Sequence, residues 1–143
     1  MKTTLITGGL GFIGSNICDS LLQKKYTNKC ILLDNFGGYM NPIKDSFVDF
    51  RKQRFPSLKN IIIERCDTSN YKALSSIINK YKPNYIYHTA ALPLAKVSNL
   101  NNEEAKISSV DSTVNIIDAI NLLKNSNQKY QFDRFVYFSS SMV

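Results

Sequence analysis

Leu5-Ile6-Thr7-Gly8-Gly9-Leu10-Gly11-Phe12-Ile13-Gly14-Ser15 is an apolar run that breaks into glycines and passes at once into a helical pattern. Read as strand, tight turn and helix start, it is the arrangement that receives the pyrophosphate of a dinucleotide. Glycine serves three needs there: a turn too tight for a Cβ, backbone close to phosphate oxygens, and a helix packed hard against a sheet. The free N–H groups and positive dipole end of the new helix then face the anion.

Working outward, Ile13, Ile17 and Leu21 recur at four-residue spacing with Cys18 and Leu22 beside them, which predicts an amphipathic helix with one buried stripe. The next apolar run, Cys30-Ile31-Leu32-Leu33, ends in Asp34, 20 residues after Gly14. A nucleotide-binding βαβ unit places its acid at that distance. A carboxylate there accepts hydrogen bonds from the adenosine ribose hydroxyls and repels a 2′-phosphate, so the pattern reads as NAD rather than NADP; Asn35 and Phe36, with no Arg following, agree.

Apolar runs and helix-period segments alternate along the whole chain, which predicts parallel strands joined by helical crossovers. Strands are expected near 2–7, 29–34, 60–65, 84–89 and 134–139. Helices are expected at 43–54, ended by Pro56, at 70–81, capped by Thr68 or Ser69 and closed before Pro83, and from about Glu103 to Lys124. The last carries Ile107, Val110, Val114, Ile117 and Ile120 on one wide face extended by Ile116 and Leu123, broad enough for a partner as well as the sheet, and a homodimer through the 103–124 helix is expected. The fold class is therefore α/β: a Rossmann-like doubly wound parallel sheet of about five strands in order 3-2-1-4-5, with helices on both faces. In that topology Gly8 to Gly14, Asp34, Asp67, Ala90-Ala91 and Ser139-Ser140-Ser141 all follow strand ends and converge on one rim.

The 143 residues, 43% hydrophobic and 20% charged, make one globular domain, 1–143, that buries roughly 70% of its unfolded surface. Three cysteines without a CxxC pair, Cys18, Cys30 and Cys66, fall in or beside apolar elements and read as buried thiols of a cytoplasmic protein. The N-terminal segment reads as strand and turn, not signal peptide, and no run approaches the roughly 18 apolar residues of a membrane span. The net charge of +7 is spread over a Lys-rich surface; Arg51-Lys52-Gln53-Arg54 is the single cluster, without an aromatic RNA-binding signature, so neither a nucleic acid nor a membrane is expected as partner. No second histidine accompanies His88, so no metal site is expected, and a lone histidine at a buried strand end is most often a packing residue.

With these residues in place, the chain resembles the N-terminal part of the extended short-chain dehydrogenase/reductase family, in its NAD-dependent sugar-nucleotide epimerase/dehydratase branch. Thr7-Gly8-Gly9-Leu10-Gly11-Phe12-Ile13-Gly14 matches the TGGxGFIG fingerprint without a mismatch and implies cofactor contacts at Gly8, Gly11, Phe12, Ile13 and Gly14. Asp34-Asn35-Phe36 is similar to the DN pair that grips the ribose, implying that role for Asp34 and Asn35. Cys66-Asp67-Thr68 resembles the acid and neighbour that contact adenine, implying Asp67 and Thr68, although an aliphatic residue usually stands at the Thr68 position. His88-Thr89-Ala90-Ala91 resembles the HxAA segment, whose small residues, here Ala90 and Ala91, lie against the cofactor. Phe138-Ser139-Ser140-Ser141-Met142-Val143 resembles SSSxxV, implying that Ser141 hydrogen-bonds the sugar hydroxyl being oxidised; the residues alone suggest only a serine-rich strand exit. Ser109-Val110-Asp111-Ser112-Thr113 follows NxxGT loosely, without its Asn or Gly, and is assigned no role.

The resemblance implies oxidation of a nucleotide-sugar by transient hydride transfer to NAD, with a Tyr-x-x-x-Lys pair as base. None of the eight tyrosines has a lysine four residues on, and the chain ends where the family continues into that segment, so it is expected to be the cofactor-binding portion of an epimerase or dehydratase. A non-catalytic NAD-binding sensor or scaffold is the alternative, and a basic nucleic-acid module ranks last.

Overall fold

A computed structural model describes residues 1–37, 53, 55, 59–91 and 102–139. The expected helix at 43–54 and the loop before it therefore lie outside the described residues apart from Gly37 and Gln53, as do Ser140 and Ser141.

The sheet is built from β1 (Thr3–Thr7), β2 (Lys29–Asp34), β3 (Ile61–Arg65), β4 (Tyr85–His88) and β5 (Arg134–Tyr137). All four neighbouring pairs run parallel, in the order β3-β2-β1-β4-β5. This is the expected topology, with strand ends at the expected limits or up to two residues inside them. β1 lies at the centre, in register Thr7↔Leu33 on one side and Thr7↔His88 on the other, so the glycine turn leaves the middle of the carboxyl edge.

Adjacent apolar residues of one strand serve opposite faces, which is why the runs are continuous. Leu5, Ile31, Leu33 and Ile86 pack with Leu74 and Ile78 of α2 (Tyr71–Tyr81) and with Ile116, Ala119, Ile120 and Leu123 of α4 (Ser112–Ser126). Ile6, Cys30 and Leu32 pack with Leu10 and with Cys18 of α1 (Phe12–Gln23) on the other face. Each fully buried Leu or Ile contributes about 1.5–3 kcal/mol of apolar transfer. All three cysteines are buried free thiols; the sulfur of Cys30 beside it, then burial, push the Cys18 thiol up, keeping it protonated.

Four sequence expectations are corrected. Ile13 is 52% exposed and lies outside the buried face of α1, which is made by Gly14, Ser15 and Cys18 with Ile17 half-buried beside them. Neither Thr68 nor Ser69 caps α2: the Asn70 side chain accepts the Ala73 amide at 3.1 Å, because Ser69 is held by Asp67 instead. At its other end Lys82 turns left-handed at φ 46° and donates its amide to Ile78, ahead of Pro83. The long helix is interrupted: α3 (Asn102–Lys106) passes through a π-helical turn at Ile107–Asp111 into α4. There the Ser112 and Thr113 hydroxyls donate to the carbonyls of Ser108 and Ser109, four residues back, taking acceptors that an α-helix reserves for amides. The wide apolar face also splits: Ile116, Ile120 and Leu123 are buried, while Ile107, Val110, Val114 and Ile117 form an exposed stripe.

Candidate functional site

The rim at the carboxyl edge is organised by the glycine turn. Gly8 adopts φ +64°, and a Cβ there would lie 2.9 Å from the Ala90 amide nitrogen, so the turn and the β4 exit approach as only glycine allows. A Cβ at Gly14 would strike the Gly8 carbonyl oxygen, which lets the first turn of α1 sit directly on the glycine backbone. Gly11 caps α1 in an extended conformation with no side-chain cap, and no acid occupies the first turn. The opening amides of α1 are therefore left to an external acceptor.

Asp34 is 8% exposed and turned toward this turn. One carboxylate oxygen accepts the Leu10 amide at 3.0 Å and the other accepts the Phe36 amide at 2.9 Å. Each oxygen keeps a lone pair for another donor, and the charge lies beside the glycine backbone. Phe36, at φ +59°, places its ring 5.5 Å from the Arg65 guanidinium.

Asn35 donates to Asp67 at 3.0 Å and accepts the Gly37 amide at 2.8 Å. The other Asp67 oxygen accepts the amide and hydroxyl of Ser69 at 2.9 and 2.7 Å. Burial opposes ionisation of Asp67, but the bonds from Asn35 and Ser69 outweigh it and hold the carboxyl below its ordinary range. Asn115 of α4 donates to the carbonyls of Thr68 and Ser69, each at 3.0 Å, tying the β3 exit to the helix.

The structure thus brings Gly8, Gly11, Gly14, Asp34 and Ala90 together around one turn and joins Asn35 to Asp67. Phe12 and Ile13 stand exposed at the helix opening, 77% and 52% respectively; Ala91 is exposed beyond β4, and the Thr68 side chain is buried. Ser141 lies outside the described residues. Asn115 and the Leu10 amide escaped sequence reading: an amide side chain within an apolar helix and a backbone N–H leave no periodic signal.

A fingerprint turn in this geometry has counterparts among known proteins. The profile of the NAD dependent epimerase/dehydratase family matches residues 4–143. The chain belongs to that family. It is 30% identical over 141 residues to UDP-glucose 4-epimerase of Caenorhabditis elegans, covering 97% of this chain and 38% of that protein. To dTDP-D-glucose 4,6-dehydratase of Dictyostelium discoideum it is 28% identical over 143 residues, covering 100% and 30%. Among solved structures, UDP-glucose-4-epimerase from Stenotrophomonas maltophila, crystallised with NAD and formylated UDP-arabinopyranose, superposes with TM-score 0.76 at 19% identity, covering 100% of this chain and 38% of that one; this shows a shared fold. The family is NAD-dependent. This chain spans between 18% and 40% of the length of the curated relatives it matches. Among the described residues no helix is long and apolar enough to cross a membrane, and no three His, Cys, Asp or Glu side chains group as metal ligands.

Proposed function

We propose that this chain is the NAD-binding portion of a cytoplasmic sugar-nucleotide epimerase/dehydratase acting by transient hydride transfer. The observation that carries this is the uncapped, Cβ-free turn from Gly8 to Gly14 with the Asp34 carboxylate anchored beside it on Leu10. Its shape and open amides fit a diphosphate. In this reading Gly8, Gly11, Phe12, Ile13 and Gly14 hold the diphosphate region, Asp34 and Asn35 the adenosine ribose, Asp67 and Thr68 the adenine, and Ala90 and Ala91 leave room along the cofactor. Ser141 positions the hydroxyl of the nucleotide-sugar. NAD bound at this rim would supply reversible hydride-transfer chemistry. The stripe Ile107, Val110, Val114 and Ile117, 38–55% exposed, supports a homodimer through helix 103–124.

A non-catalytic NAD-binding sensor or scaffold is the second reading. Thermal unfolding with each nucleotide tests the cofactor: NAD is expected to raise the midpoint, NADP much less, and Asp34→Ala to erase the difference. Equal stabilisation of the native sequence by both nucleotides defeats the role of Asp34. A Tyr-x-x-x-Lys downstream of Val143 in the gene separates enzyme from sensor.

A further inference from the structure

His88 ends β4 at 2% exposure, between Thr7 of β1 and Ser112 of α4. Its Nδ1 lies 2.6 Å from the Thr7 hydroxyl and its Nε2 lies 3.3 Å from the Ser112 hydroxyl. The direction of each bond follows from counting hydrogens. The one hydroxyl hydrogen of Ser112 goes to the Ser108 carbonyl, 2.6 Å away, which can only accept. That carbonyl is available because in the π-helical turn the Ser112 amide reaches five residues back, to Ile107. Ser112 therefore offers His88 only lone pairs, so Nε2 carries the hydrogen and Nδ1 is bare. Thr7 donates to Nδ1, and its own oxygen accepts the Ala90 amide at 3.2 Å. One directed chain thus runs from the Ala90 amide through Thr7, His88 and Ser112 to the carbonyl of Ser108.

The rim end of this chain is closely packed, since the Ala90 nitrogen is the nearest atom a Cβ on Gly8 would meet, at 2.9 Å. The Thr89 amide and hydroxyl both donate to the Thr7 carbonyl, at 3.2 and 2.6 Å, so three bonds fasten the β4 exit to β1. Of these, the Ala90 bond depends on which way the Thr7 hydroxyl turns, and His88 sets that.

We propose that Ser112 is a positioning residue for the nucleotide rim: by holding His88 as its Nε2–H tautomer it turns the Thr7 hydroxyl onto Nδ1 and so holds the Ala90 amide against the Gly8 turn. The effect on affinity rests on the reading that this rim binds NAD; the tautomer does not.

The chain has a single histidine, so one set of ring signals in 15N-labelled protein reports on the relay without assignment. In the native sequence at neutral pH, without nucleotide, Nε2 is expected to be protonated and Nδ1 bare. Ser112→Ala is expected to yield a mixture of tautomers and, at a temperature where the variant is folded, to weaken NAD about fivefold, the scale of one neutral hydrogen bond. Thr7→Val should weaken NAD at least as much, and Thr7→Ser, which keeps the hydroxyl, should restore it. An Nδ1–H or doubly protonated ring in the native sequence overturns the proposal, as does a Ser112→Ala protein that loses only thermal stability and binds NAD unchanged. Failure of the native sequence to bind NAD defeats the cofactor reading, while the ring spectrum still decides the relay.

Discussion

The carboxylate of Asp34 accepts the amide of Leu10 at 3.0 Å, joining the end of β2 to the middle of the glycine turn. The residue placed to meet a ribose is therefore also a brace for the backbone that meets the diphosphate, and the two duties separate experimentally. Asp34→Ala leaves the buried Leu10 amide without an acceptor, an expected loss of about 2 kcal/mol in nucleotide-free protein. Urea unfolding measures it; an unchanged midpoint would mean the brace adds nothing.

Gly8→Ala imposes a side chain at φ +64° and pushes a Cβ toward the Ala90 nitrogen. The left-handed conformation alone costs roughly 1–2 kcal/mol for an L-residue, and the collision adds to it. We expect a loss above about 2 kcal/mol with strongly weakened nucleotide binding, read by chemical denaturation and calorimetric titration.

Asn115→Ala releases the carbonyls of Thr68 and Ser69 from α4. The expected result is a loss of about 1 kcal/mol, with faster hydrogen exchange confined to the amides following Asp67. Protection that falls evenly over the sheet would point to general destabilisation in place of a local tether.

Burial pulls the His88 pKa down to about 4 from an ordinary 6.5. Between those values the unfolded chain binds a proton that the folded chain refuses, so stability rises with pH across this window and is lost as pH falls from 6.5 toward 4. Urea midpoints taken at intervals over that range should decline on acidification in the native sequence, and His88→Asn should flatten the decline above the range where carboxylates titrate.

The sequence by itself determined the order of the elements, the parallel sheet and the position of the rim. Apolar runs such as Leu5-Ile6 and Ile31-Leu32-Leu33 can be buried only between two helical layers, and a glycine turn closing β1 with an acid closing β2 has one place to go in that topology. Other features depend on distances that periodicity does not encode. Ile13 keeps helical spacing yet faces outward, because the first turn of α1 sits on the glycine backbone rather than on the sheet. The helix through Ile107–Asp111 looks continuous as a hydrophobic pattern, yet the Ser112 and Thr113 hydroxyls compete with its amides and open a π-helical turn. Tertiary structure alone decided that Asn115 ties α4 to the β3 exit, that Asp34 supports Leu10, and which nitrogen of His88 carries hydrogen. Each of these is a directional bond between residues far apart in the chain, and it exists only once packing has brought donor and acceptor within about 3 Å of each other.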